Sequence, residues 1–136
     1  MEIRYLNDIK KVLYDKKWAK NAPNLELYYM YRSVKKKDGL RYDITEISDK
    51  MLGKEFPKTK GHRHPEKEFY QVLDGQAIFL FQKCQGKMVK KAIAVKAKKN
   101  EMIVIPPNYD HLIINLSKKK LRTGNWISQN CKNNYK

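Results

Sequence analysis

From Leu25 onward, apolar and polar residues alternate with a period of two. "LELYYMYRSV" begins this pattern and predicts a half-buried strand. Asp38-Gly39 in "KKDGL" is a tight-turn signal, so "RYDITEIS" should pair back as the next strand. Further short runs follow: "EFYQVLD" at 68–74, "QAIFLFQ" at 76–82, "MVKKAIAV" at 88–95, "EMIVI" at 101–105, "HLIINL" at 111–116 and "LRTGNWI" at 121–127. Asp74-Gly75, Gln85-Gly86, Lys99-Asn100 and Pro106-Pro107-Asn108 separate them. Many short strands at near-even spacing predict an all-β barrel or sandwich. Only the start reads otherwise. Asn7 and Asp8 offer caps, Ile9, Val12 and Leu13 recur at helical spacing, and "NAP" at 21–23 stops the helix. The expected parse is one domain over 1–136, with a helix-and-strand preface over 1–39 and a barrel core over 40–128.

Length supports that parse, because 136 residues can bury one sizeable core without staples. Cys84 and Cys131 form no CxxC pair and no disulfide framework. "EIRYLNDIKK" after Met1 lacks a secretory pattern, and the longest apolar run, "AIFLF" at 77–81, cannot span a bilayer. These features predict a soluble cytoplasmic protein with no membrane partner.

Charge changes the picture more. Thirty Lys+Arg against fourteen Asp+Glu give +16, which attracts anions such as nucleic acid, anionic lipid or a phosphorylated metabolite. A solvated lysine-rich surface gives the same count. The runs at 35–37, 96–99 and 118–120 read as loops or strand ends, and no recognition helix or aromatic–basic motif accompanies them. No nucleic-acid partner is expected.

The chemistry concentrates in "TKGHRHPEKEFY", residues 59–70. His62 and His64 share one face of a strand, and Glu68 opens the next apolar run. The chain's third histidine, His111, opens "HLIINL". Three imidazoles and a carboxylate suit a divalent transition metal and leave coordination positions open. His-x-His alone is also an ordinary surface or core arrangement. Here, though, every histidine of the chain falls into one ordered pattern.

That pattern resembles the cupin family. His62, His64, Glu68 and Gly75 fit its first motif, with Phe56 where a leading glycine is usual. Asn100, Pro106, Asn108, His111 and Asn115 fit its second, with asparagine replacing both glycines. Asparagine is the non-glycine residue best able to hold a left-handed turn. The resemblance implies a double-stranded β-helix, or jelly-roll barrel, with one metal at its mouth. More narrowly, "GKEFPKTKGHRH", "EFY" and "PPNYDHLIIN" are similar to the cupin-type glucose-6-phosphate isomerases of archaea and some bacteria. Thr45, Gly53, Glu55, Thr59, Gly61, Tyr70, Pro106 and Pro107 fall in register, and Asp49 replaces a proline.

This narrower resemblance implies metal ligation by His62, His64, Glu68 and His111, the ion being Fe, Mn, Ni or Zn. It implies sugar-phosphate contacts from Thr45, Thr59, Gly61 and Tyr70, and catalytic roles for Glu68 and His111. Hydroxyls and a glycine amide are proper phosphate donors. Thr45 reads equally as an ordinary strand residue, Tyr70 as a barrel-lining aromatic, and Glu55 as a metal neighbour or a charged strand residue. The implied reaction is aldose–ketose isomerisation of glucose 6-phosphate and fructose 6-phosphate, in glycolysis, gluconeogenesis and carbohydrate metabolism, by a homodimer. A family tyrosine on the last barrel strand counts to Ile127 here. The alternatives are a metal cupin with another small substrate and a non-catalytic sugar-phosphate binder. Trp126 could floor a sugar pocket or sit in the core.

Overall fold

The alternating runs become strands of two antiparallel sheets in a computed structural model of the chain. The structure describes residues 1–129 and the backbone of 134–135. The strands are β1 (Glu2–Tyr5), β2 (Glu26–Lys37), β3 (Leu40–Ile47), β4 (His62–Arg63), β5 (Glu68–Asp74), β6 (Gln76–Gln85), β7 (Met88–Lys98), β8 (Met102–Ile105), β9 (Asp110–Asn115), β10 (Leu121–Ser128) and β11 (Asn134–Tyr135). One sheet runs β1-β2-β3-β10-β5-β8 and the other β11-β4-β9-β6-β7. The chain thus crosses repeatedly between sheets, and neighbouring strands are mostly distant in sequence. Inward positions of both sheets supply the core, including Val72, Ala77, Phe79, Ile105, Ile113 and Leu121.

The turns form as their residues require. Asp38 and Gly39 both have positive φ (51° and 77°), the tight hairpin geometry. Asn100 and Asn108 take φ of 74° and 64°, so the two asparagines adopt the left-handed conformation that glycine adopts easily. Gly75 has φ 93°, and a Cβ there would lie 2.8 Å from Ser117 Oγ. Asn115 is wholly buried and binds the backbone around it. Its amide donates to Ser48 and Lys119 carbonyls (both 3.0 Å), and its Oδ1 accepts from Ser117 N–H (2.9 Å).

The preface differs from the expected single helix. Residues 2–5 are extended and pair with β2, Glu2 opposite Met30. The helical part is split into α1 (Leu6–Ile9), a 3-10 turn at Lys10–Val12 and α2 (Lys16–Asn21). Asn7 and Asp8 are not its N-cap. Tyr5 is, and its N–H donates to the Asp8 carboxylate (2.8 Å). Asp15 caps α2 by accepting from Trp18 N–H (3.0 Å), which divides the helix there. Leu6, Ile9 and Leu13 are buried against the barrel, whereas Val12 stays exposed.

Candidate metal centre and active site

Segment 57–64 runs along β9. Asn115 N–H donates to Pro57 O (2.8 Å) and Thr59 N–H to Ile113 O (3.0 Å), and His62 then stands opposite His111. The adjoining pair fixes that register on the other face. Arg63 Nε and Nη2 grip the Asp110 carboxylate with two bonds of 3.0 and 3.1 Å. His64, two residues beyond His62, returns to the same inner face, and its carbonyl accepts from Asn108 N–H (2.9 Å). Each piece of the two histidine motifs therefore positions the other.

Opposite them, the other sheet contributes Glu68 at the start of β5. One donor atom from each of His62, His64, Glu68 and His111 lies within 4.8 Å of the others. Glu68 Oε1 faces three imidazole Nε2 atoms, at 4.0 Å from His62, 3.2 Å from His111 and in contact with His64. Glu68 Oε2 accepts from Asn125 Nδ2 at 2.8 Å. Tyr70 Oη lies 3.3 Å from His111 Nε2.

The electrostatics suit a cation. Burial is the main force lowering His62 to about 3, helped by His111 and opposed by Glu68. Burial likewise lowers His111 to about 3, with His64 adding to it. Both rings are therefore neutral near pH 7, with a lone pair for a ligand. A hydrogen bond to the Lys60 backbone steadies the His62 ring. Burial, then the Glu68 carboxylate, holds the Tyr70 phenol well above 10, so it keeps its proton. Three imidazoles and one carboxylate, three of the four groups buried, converge in a set that fits a divalent transition ion.

These residues line the narrow inner part, about 40 Å³, of a cavity that opens toward solvent. Thr45, Thr59 and Tyr70 border it. Thr59 Oγ1 accepts from Ile113 N–H (3.0 Å). Gly61 does not border it. It flanks a separate depression on the outer side with Leu80 and Leu112. Glu55 is also elsewhere, accepting from Tyr14 N–H (2.7 Å) and pairing with Lys58 (3.1 Å), so it fastens the preface. Trp126 is neither pocket floor nor core. It lies half-buried on the outer face, 4.9 Å from the Tyr42 ring, while its neighbours Asn125 and Ile127 point inward. Asn125 carried no motif signal. Only strand alternation around Trp126 marked it as inward-facing. Arg32, Arg41, Asp43 and Lys60 border the cavity too, and none stood out in the sequence.

Comparison with known proteins agrees with this geometry. The family described as glucose-6-phosphate isomerase matches residues 5–136. The chain is 29% identical over 121 residues to the glucose-6-phosphate isomerase of Pyrococcus abyssi, covering 83% of this chain and 62% of that one. It is 27% identical over 125 residues to the Thermococcus litoralis enzyme of the same name, covering 86% and 64%. It thus spans less than two-thirds of the length of these relatives. Among solved structures, an oxalate oxidase superposes with a TM-score of 0.64 at 16% identity, covering 85% of this chain and 57% of the other. A cupin superfamily protein from Desulfitobacterium hafniense gives 0.55 at 11%, covering 74% and 76%. The fold is the cupin double-stranded β-helix, and the chain belongs to the cupin-type glucose-6-phosphate isomerase family.

Proposed function

We propose that this chain is a metal-dependent aldose–ketose isomerase acting on a sugar phosphate, glucose 6-phosphate and fructose 6-phosphate before others. The observation that carries the reading is the convergence of His62, His64, Glu68 and His111 in the cavity of a chain from this family. His62, His64, Glu68 and His111 would hold Fe, Mn, Ni or Zn, which would supply a Lewis acid for the C1/C2 carbonyl.

The remaining work belongs to the protein's own groups. Isomerisation relocates a hydrogen between C1 and C2, which calls for a base within hydrogen-bond reach. Glu68 is the base in this reading, with its Oε2 held by Asn125 and its Oε1 turned toward the histidines. His111 and the protonated Tyr70 beside it place a polar edge against the sugar oxygens. Thr45 and Thr59 supply hydroxyls toward the phosphate, and the sugar extends from the narrow cavity toward its mouth. The roles of Thr45, Thr59, Gly61 and Tyr70 in substrate binding remain part of this proposal. So do a single domain, a homodimer, a cytoplasmic location and a place in glycolysis or gluconeogenesis. No described helix is long and apolar enough to cross a membrane.

One observation favours a second reading, a sugar-phosphate binder or metal cupin with another substrate. Ile127, where the family's tyrosine counts, is buried and lines the cavity with no group that carries a proton. A coupled assay of fructose 6-phosphate conversion separates the two, on metal-stripped protein refilled in turn with Fe, Mn, Ni and Zn. Metal-dependent turnover establishes the isomerase. Metal binding without turnover in any form establishes the second reading.

A further inference from the structure

The inner face of β3 carries Arg41, Asp43 and Thr45, and all three border the cavity. Asp43 is buried and acts as a hub. It accepts from Arg41 Nε at 3.1 Å and from Ser33 N–H at 2.8 Å, and Arg32 Nη1 lies 3.6 Å away. Ser33 sits at φ 56°, inside the irregular stretch where β2 loses register with β3 between Tyr31 and Lys35. A bulge with a positive φ on a non-glycine residue is costly and collects at functional sites. Here the bulge turns a backbone amide onto Asp43. Arg32 is further held by Glu2 (2.9 Å) at the surface.

We infer that Arg41 and Arg32, aligned by Asp43, form the charged anchor for the phosphomonoester of the substrate. The inference rests on the sugar-phosphate reading above and adds to it the groups that neutralise the dianion. Arg41 gives Nε to Asp43, which orients the planar fork and leaves the Nη edge as a two-pronged donor. Thr45, two residues beyond Asp43 on the same face, adds a hydroxyl. Among the cavity's bordering side chains, three cations (Arg32, Arg41, Lys60) face two carboxylates (Asp43, Glu68), and Glu2 pairs with Arg32 from outside the cavity. The spacing also suits. Asp43, Asn125 and Tyr70 occupy one cross-strand row, so Asp43 lies about 10 Å from Tyr70 across two strand intervals. An extended six-carbon sugar phosphate bridges that distance, with its carbonyl end beside Glu68 and His111 and its phosphate over β3.

The test measures dissociation constants of fructose 6-phosphate, fructose and inorganic phosphate on the metal-loaded chain, for wild type, Arg41→Gln, Arg41→Lys and Asp43→Asn. Metal content and thermal melts are recorded for each. Arg41→Gln should weaken fructose 6-phosphate roughly 10- to 100-fold while fructose binding and metal content stay unchanged. Arg41→Lys keeps the charge without the fork and should fall between. Asp43→Asn should weaken phosphate-bearing ligands in proportion to the lost alignment. Should Arg41→Gln melt early, the Arg41→Lys comparison alone decides.

Two outcomes sink the idea. In one, wild type binds fructose 6-phosphate and the Arg41 variants bind it equally well; the anchor is then elsewhere and the isomerase reading survives. In the other, neither fructose 6-phosphate nor phosphate binds wild type, and both readings fail together. If phosphate alone binds, in an Arg41-dependent way, the anchor stands and the sugar assignment falls.

Discussion

Asn125 donates its side-chain amide to Glu68 Oε2 across 2.8 Å, and both residues are almost entirely buried. One carboxylate oxygen is thereby fixed so that the other faces the histidines. Replacing Asn125 with Leu keeps the bulk and removes the bond. Metal affinity should fall ~10- to 100-fold, as for other partners that hold a ligand in place. Titration against a competing chelator reads this directly. An unchanged affinity would show that Glu68 needs no such holder.

His62→Ala and His111→Ala each remove one of four donors. Dialysed protein should retain no stoichiometric metal in either variant, measured by elemental analysis. Both rings project into the cavity rather than forming the hydrophobic core. The metal-free variants should therefore melt close to metal-free wild type. Full turnover without metal would contradict the proposed site as a whole.

The metal-free chain should lose stability in acid over a defined window. His62 and His111 are lowered from 6.5 to about 3 in the fold, chiefly by burial. Between those values the unfolded chain binds more protons than the native one, so stability falls as pH falls. It is fully present above 6.5 and lost progressively toward 3. Urea melts at pH 7.5, 5.5 and 4 should show a declining midpoint, and the decline should shrink in the His62→Ala, His111→Ala double variant.

Asn100 and Asn108 hold left-handed backbone where the related motif has glycine. Asn100→Gly should leave stability within ~1 kcal/mol, and Asn100→Val should cost about 1–2 kcal/mol, because a branched side chain fits that region worst. Asn108→Val should do the same and also weaken metal, since Asn108 N–H holds the His64 carbonyl. Thermal melts and metal titration separate the two effects.

What the sequence made legible follows from how local each signal is. Strand alternation and Gly or Asn turns act over a few residues, so β5 matches its expected run and the Asp38-Gly39 hairpin closes as read. The convergence of the three histidines and Glu68 was legible because they keep motif spacing. The preface was misread because Ile9, Val12 and Leu13 fit a helical period, although pairing with β2 and the Asp15 cap decide the actual breaks. Asn125, Asp43 and Arg41 were invisible for a different reason. Asn125 and Asp43 take their meaning from partners 57 and 10 residues away, which only the register between strands brings together, and Arg41 takes its meaning from Asp43 on the same strand face.

Glu68 comes from one sheet, and His62 and His111 come from the other. An ion gripped by all of them is a rivet through the sandwich. For it to leave, its bonds to both layers must break, which couples its escape rate to motion of one sheet against the other. Slow exchange of metal would then serve as a clock for a motion that no side-chain substitution at the surface should alter.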